Sequence, residues 1–127
     1  MIRERIVLIK NYFGELEAVD KEKEGKTRFY ARSMLLFSII NASISLAEDM
    51  ISRKNLQVPG NYYDIFDILA KNRVISPSLC DDMKLLIKLR NIIAHEYDSF
   101  DEKQVRKLEA KIESVKEFVK IAASLAR

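Results

Sequence analysis

At 127 residues, with 48% apolar and 32% charged side chains, the chain can bury roughly two thirds of its unfolded surface and reads as neither a disordered segment nor a membrane protein. Its formal charge of +3 is spread evenly: ten Lys/Arg against eight Asp/Glu over residues 1–60, twelve against eleven over 61–127. No basic tail is present to grip duplex nucleic acid by charge alone. Cys80 is the single cysteine, which excludes an internal disulfide and any cysteine-cluster metal site.

Three glycines and two prolines leave little material for turns and favour a few long helices. Ile2, Ile6, Ile9, Phe13 and Leu16 recur at steps of four and three, predicting a first helix of about five turns. The leading Met1-Ile2-Arg3-Glu4-Arg5 is charged, unlike the apolar stretch of a signal peptide, and no run approaches membrane-spanning length, so the cytoplasm is the expected location. A polar connection over Lys21–Lys26, with Gly25 near its end, precedes a second helix from about Thr27 to Ser52. Apolar residues from Phe29 to Ile51 surround much of that helix, as expected at the centre of a bundle.

Gln57-Val58-Pro59-Gly60 breaks the pattern, and Asn61 caps a short helix carrying Tyr62, Phe66 and Leu69, with Asp64 at the acid-favouring third position. Ser76-Pro77 then starts a fourth helix that runs through Leu79–Ala94 and frays near Tyr97. Asp101-Glu102-Lys103-Gln104 reads as a capping box opening a last helix, with Val105, Leu108, Ile112, Val115, Val119 and Ala122 on one stripe. The first and last helices cover barely three heptads each, so their spacing reflects bundle packing rather than a coiled coil. With no strand alternation or repeat, the expected fold is all-α: an up-and-down bundle of four long helices plus one short helix, a single domain over residues 1–127.

Chemistry concentrates in Arg90-Asn91-Ile92-Ile93-Ala94-His95-Glu96-Tyr97, which holds the only histidine of the chain. His95 exchanges protons near neutral pH, and Arg90 offers a permanently charged fork suited to phosphate. With Arg90 at zero and about 100° per residue, Leu85, Leu86, Leu89, Ile92 and Ile93 fall between about 200° and 320° and form the expected core face. Lys84, Lys88, Asn91 and His95 fall between about 100° and 160° on the other side. Asn91 and His95 are i,i+4 neighbours, so the carboxamide is placed to orient the imidazole. Met83, Ile87 and Ala94 form a smaller apolar strip beside Arg90; it either packs against a symmetry mate in a homodimer or widens the core face.

This set suits metal-independent RNA cleavage with no cofactor. His95 takes the 2′-hydroxyl proton or protonates the leaving 5′-oxygen, Arg90 stabilises phosphoryl charge, and Lys84 and Lys88 hold flanking phosphates. The expected products carry a cyclic phosphate and a 5′-hydroxyl. Each residue also has a plainer reading: a histidine as helix-dipole partner, Arg90 paired with Asp98 or Glu96, the lysines as a solvated face, and Tyr97 as a packing residue.

The spacing Arg-x-x-x-x-His-x-Tyr, with a polar residue after the arginine, resembles the hallmark of the HEPN superfamily, and within it the HepT-like toxins of nucleotidyltransferase-linked toxin–antitoxin pairs. Arg90, Asn91, His95 and Tyr97 match it residue by residue. Pro59-Gly60-Asn61-Tyr62-Tyr63-Asp64-Ile65-Phe66-Asp67-Ile68-Leu69, followed by Val74-Ile75, resembles the segment preceding the motif helix, so the likeness covers about the whole chain. The resemblance implies a helical homodimer with a composite cleft and ribonuclease activity centred on Arg90 and His95. It further implies a nucleotidyltransferase antitoxin that adds AMP to Tyr97. Two positions depart from the pattern. Many relatives carry an acid midway along the second helix, where this chain has Ser45, with Glu48 and Asp49 a turn later. The other is Arg73, which stands where glycine is frequent. Two rival readings are a non-catalytic nucleotide- or substrate-binding subunit of a two-component nucleotidyltransferase, and a purely structural helical dimer.

Overall fold

A computed structural model describes residues 1–95 and 102–126, with the side chain of His95 left out. Within these bounds the chain forms α1 (Ile2–Glu22), α2 (Gly25–Arg53), α3 (Tyr62–Lys71), α4 (Pro77–His95), α5 (Glu102–Lys111) and α6 (Glu113–Leu125). Tyr97 and Asp101, the first residue of the expected capping box, lie outside the described residues.

α1 and α2 pair antiparallel. Arg5 near one end of α1 bonds Asp49 at 3.3 Å, while Arg32 bonds Asp20 near the other. The expected stripe on α1 holds, with Ile2, Ile6, Ile9 and Leu16 buried and Phe13 half-buried against the core. α2 is long and apolar enough to cross a membrane by length and composition, which the sequence reading did not anticipate. More than half of that apolar window is buried, because α2 packs against α1, α3, α4, α5 and α6. Its apolar character is that of a central bundle helix. Two serines inside this helix, Ser33 and Ser43, donate back to the carbonyls of Phe29 and Ile39 at 2.8 and 2.7 Å, so their burial leaves no hydroxyl unsatisfied.

The expected last helix is divided into α5 and α6 at Ile112. The division is slight, since Ile112 keeps helical angles (φ −63°, ψ −25°). Its N–H reaches Glu109 at 3.3 Å and its carbonyl accepts from Val115 at 3.0 Å, three-residue bonds that tighten the helix for one turn. All six stripe residues from Val105 to Ala122 stay buried across it. Phe118 of α6 meets Phe66 of α3 edge-on at 5.5 Å, locking the short helix onto the bundle.

Two helix ends close through left-handed residues. At the end of α3, Val74 N–H bonds the Leu69 carbonyl at 2.8 Å and Arg73 N–H bonds Ala70 at 3.0 Å, with Arg73 at φ +60°. This is a Schellman motif, whose left-handed position favours glycine. α2 ends the same way at Asn55, φ +52°, a residue that tolerates this region better. The position flagged in the sequence as a common glycine site is therefore one where the backbone asks for glycine. Arg73→Gly is expected to stabilise the fold by about 0.5–1 kcal/mol, read as a higher urea midpoint with unchanged slope. An unchanged or lower midpoint would contradict the strain argument.

Candidate active site

Three helices converge on Arg90. The short one is positioned by its start. Asn61 Oδ1 accepts from Asp64 N–H at 2.9 Å, and Asp64 Oδ2 accepts from Gly60 N–H at 2.9 Å. A Cβ on Gly60 would stand 2.9 Å from that carboxylate oxygen and push the carboxylate from its present position in the reciprocal cap. α4 begins as expected: Ser76 Oγ accepts from Leu79 N–H at 3.1 Å, with Pro77 in the first turn.

The buried face of α4 differs from the expected arc. Leu79, Cys80, Met83, Leu86, Ile87, Leu89 and Ile93 are buried. On the same angular scale they span from about 260° through zero to about 80°. Leu85, expected in the core, is exposed, and Ile92 is only half-buried. Met83 and Ile87, at 2% and 1% exposure, widen the core and offer no strip to a symmetry mate. The physical reason is that α4 touches α2, α3, α5 and α6, which demands a broad buried face. Arg90 thus lies at the centre of that face near the helix end, and is half-buried.

A cation so placed needs partners, and those it finds among the described residues are neutral. Arg90 donates from Nε (3.2 Å) and one terminal nitrogen (2.5 Å) to Asn91 Oδ1, and from the other terminal nitrogen to Asn41 Oδ1 on α2 at 2.5 Å. Its guanidinium carbon lies 5.7 Å from the centroid of the Tyr62 ring, within cation–π range. Asn91 in turn donates from Nδ2 to the Tyr63 hydroxyl at 3.4 Å. Among the described residues no carboxylate lies within ion-pair distance of Arg90. Glu96 and Asp98, the acids weighed as its partners, lie outside the described residues.

Asn41 was missed in the sequence, where attention went to Ser45 and to Glu48 and Asp49. Asp49 is engaged elsewhere, with Arg5 at 3.3 Å and the N-terminal amine at 3.2 Å. Asn41, one turn before Ser45, supplies the oxygen that orients the arginine. Its signal was a carboxamide within the apolar run Ile39-Ile40-Asn41-Ala42, a side chain such a helix needs for no packing purpose. Asn91, expected to orient the imidazole, is seen here holding Arg90.

The two lysines separate. Lys84 bonds Asp67 of α3 at 2.9 Å, which raises its ammonium above the ordinary lysine value. In this arrangement it braces α3 against α4. Lys88 is exposed, with no ion-pair partner among the described residues. Burial, then the neighbouring Asp67, pushes the Cys80 thiol up to about 11, so the lone cysteine is no nucleophile at neutral pH. His95 is the last residue of α4, one turn beyond Asn91, and Tyr97 follows outside the described residues.

Comparisons with known proteins bear on this arrangement. The family model described as "Ribonuclease HepT-like" matches residues 2–122. The mRNA nuclease HepT of Shewanella oneidensis is 33% identical over 60 residues, 47% of this chain and 45% of that protein, so the match spans less than half of the relative. A structure of a tri-AMPylated Shewanella oneidensis HEPN toxin in complex with MNT antitoxin superposes with a TM-score of 0.83 at 24% identity, covering 97% of this chain and 96% of the other. A toxin–antitoxin structure with AMP-PNP gives a TM-score of 0.79 at 25% identity, covering 94% of each chain.

Proposed function

We propose that this chain, which belongs to the Ribonuclease HepT-like family, is a cytoplasmic endoribonuclease toxin, one domain throughout, that cuts RNA without a metal and is silenced by AMP addition to Tyr97. The observation that carries this reading is Arg90, fixed by two neutral carboxamides and an aromatic face, with its charge uncancelled among the described residues. Three of its five N–H donors are engaged, which leaves two to meet phosphoryl oxygens. A guanidinium so restrained loses little freedom when an anion binds and stabilises charge growing on the phosphorus centre.

In the reaction, the substrate's 2′-oxygen attacks the adjacent phosphorus while His95 removes its proton or protonates the departing 5′-oxygen. The P–O5′ bond breaks as the new P–O2′ bond forms, leaving a 2′,3′-cyclic phosphate and a 5′-hydroxyl. Asn91 and Asn41 keep Arg90 aimed, and Lys88 neutralises a flanking phosphate. The similar Shewanella protein is called an mRNA nuclease, and the similar solved toxin carries AMP beside its antitoxin. Both support RNA as the substrate and a nucleotidyltransferase as the partner here. AMP on Tyr97, two residues after His95, would place a bulky phosphate group where RNA must enter.

The active form is a homodimer with a composite cleft. Its face is the exposed side of α2, where Met34, 65% exposed, precedes Asn41 by two turns. Met34 and Tyr30, one turn apart on α2 and 65% and 54% exposed, give that side an apolar surface a second copy would cover.

Two outcomes check these readings. In EDTA, with the intact mass showing unmodified Tyr97, Arg90→Ala and His95→Ala should each lower RNA cleavage by at least ~100-fold while circular dichroism stays unchanged. Cleavage that survives either change refutes the assignment. Met34→Glu should convert the dimer to a folded monomer in sedimentation, whereas an unaltered dimer would move the interface elsewhere.

A further inference from the structure

We infer that Tyr62 is the floor of a nucleobase subsite that sets the register of single-stranded RNA on Arg90, an inference that rests on the ribonuclease reading above. Tyr62 opens α3 and leaves half its surface (50%) in solvent, while Ile65, Phe66, Ile68 and Leu69 of the same helix fill the core. Its neighbour Tyr63 is half-buried and spends its hydroxyl on Asn91. Beyond its contact with Arg90, the ring keeps apolar surface in water, which is unfavourable. Its position relative to the cation is what gives it a use. The Arg90 guanidinium stands 5.7 Å from the ring centroid, so an oxyanion on the free donors of Arg90 brings a neighbouring nucleotide over the aromatic surface.

A phosphate-binding cation beside an aromatic ring that keeps half its surface in solvent is how proteins hold unpaired RNA: backbone on the charge, base on the exposed part of the ring. Stacking accepts any base, because every base has a π-face. The ligand class is therefore single-stranded RNA with weak base preference at this nucleotide, and a base still paired in a duplex is shut out. Arg90 and Tyr62 also fix the relative position of phosphate and base, since the caps at Asn61 and Gly60 hold the ring's backbone still.

The experiment measures binding of a short single-stranded RNA made uncleavable by a 2′-O-methyl group at the cut, by fluorescence anisotropy in EDTA. Wild type is compared with Tyr62→Phe, Tyr62→Leu and Tyr62→Ala, each verified as folded by circular dichroism. Tyr62→Phe should bind as wild type, and Tyr62→Leu and Tyr62→Ala roughly ten-fold or more weaker. A series of single abasic nucleotides then separates stacking from mere support of Arg90. At one position, loss of the base should weaken wild type by a similar factor and leave Tyr62→Ala no weaker than before. Losses that multiply at every position, or Tyr62→Ala binding as wild type, overturn the subsite. Wild type that binds this RNA but cleaves no unprotected RNA overturns the ribonuclease reading, while the same binding series still decides the subsite. Wild type that binds no RNA overturns both.

Discussion

The contact on which the site depends is the grip of two carboxamides on the Arg90 guanidinium. Asn41 reaches it from α2 and Asn91 from beneath it on α4, both through Oδ1. A carboxylate in either place would hold the arginine more strongly, since hydrogen bonds to an ionised acceptor are roughly twice as strong as those to a neutral one. It would also consume the charge. Neutral acceptors fix direction without cancelling the field, so the cation stays half-buried, oriented and available to an incoming anion. That combination costs desolvation energy, and it persists because the surrounding helices determine it.

The rest of the bundle acts to keep that geometry. α2 carries Asn41 and packs against every other described helix, so the backbone beneath this exposed side chain is set by the whole core. α3 brings Tyr62 to the guanidinium and Tyr63 to Asn91, and is pinned three times: by the reciprocal cap at Gly60, Asn61 and Asp64, by the Phe66–Phe118 ring contact, and by the Lys84–Asp67 bridge. The bridge is exposed, and such pairs are worth little in stability, about 0–1 kcal/mol. Its significance lies in the alignment of α3 with α4. α4 in turn is anchored by Asp82, which accepts from Ser114 at 2.8 Å and pairs with Lys111 at 3.3 Å.

Much of this was legible beforehand, for identifiable reasons. Helix periodicity located α1, α2 and α4, the cap at Asn61 was legible to the residue because a capping side chain acts within three residues of itself, and Ser76-Pro77 marked the start of α4. The Arg73 anomaly was visible as a departure from glycine, and the left-handed backbone there explains why glycine is preferred. The rotation of α4 was not legible. Its sequence is apolar over half a turn and more, and only the number of packed neighbours decides which part is core, so Met83 and Ile87 were ambiguous and Leu85 was misread. The contact of Asn41 with Arg90, separated by 49 residues, was likewise hidden, because nothing local to either residue announces the other. Lys84 looked like its neighbour Lys88 on a helical projection, and its partner Asp67 became apparent only with α3 in place.

The most direct test of the account is the salt dependence of single-stranded RNA binding by wild type and Asn41→Asp. The substitution keeps the shape of Asn41 and its bond to Arg90 while adding a negative charge that no described residue places there. The account predicts weaker binding and a plot of log affinity against log salt whose slope is shallower by about 0.7, the value of one lost phosphate contact on a single strand. An unchanged slope and affinity in Asn41→Asp would show that the free charge of Arg90 is not what holds the RNA.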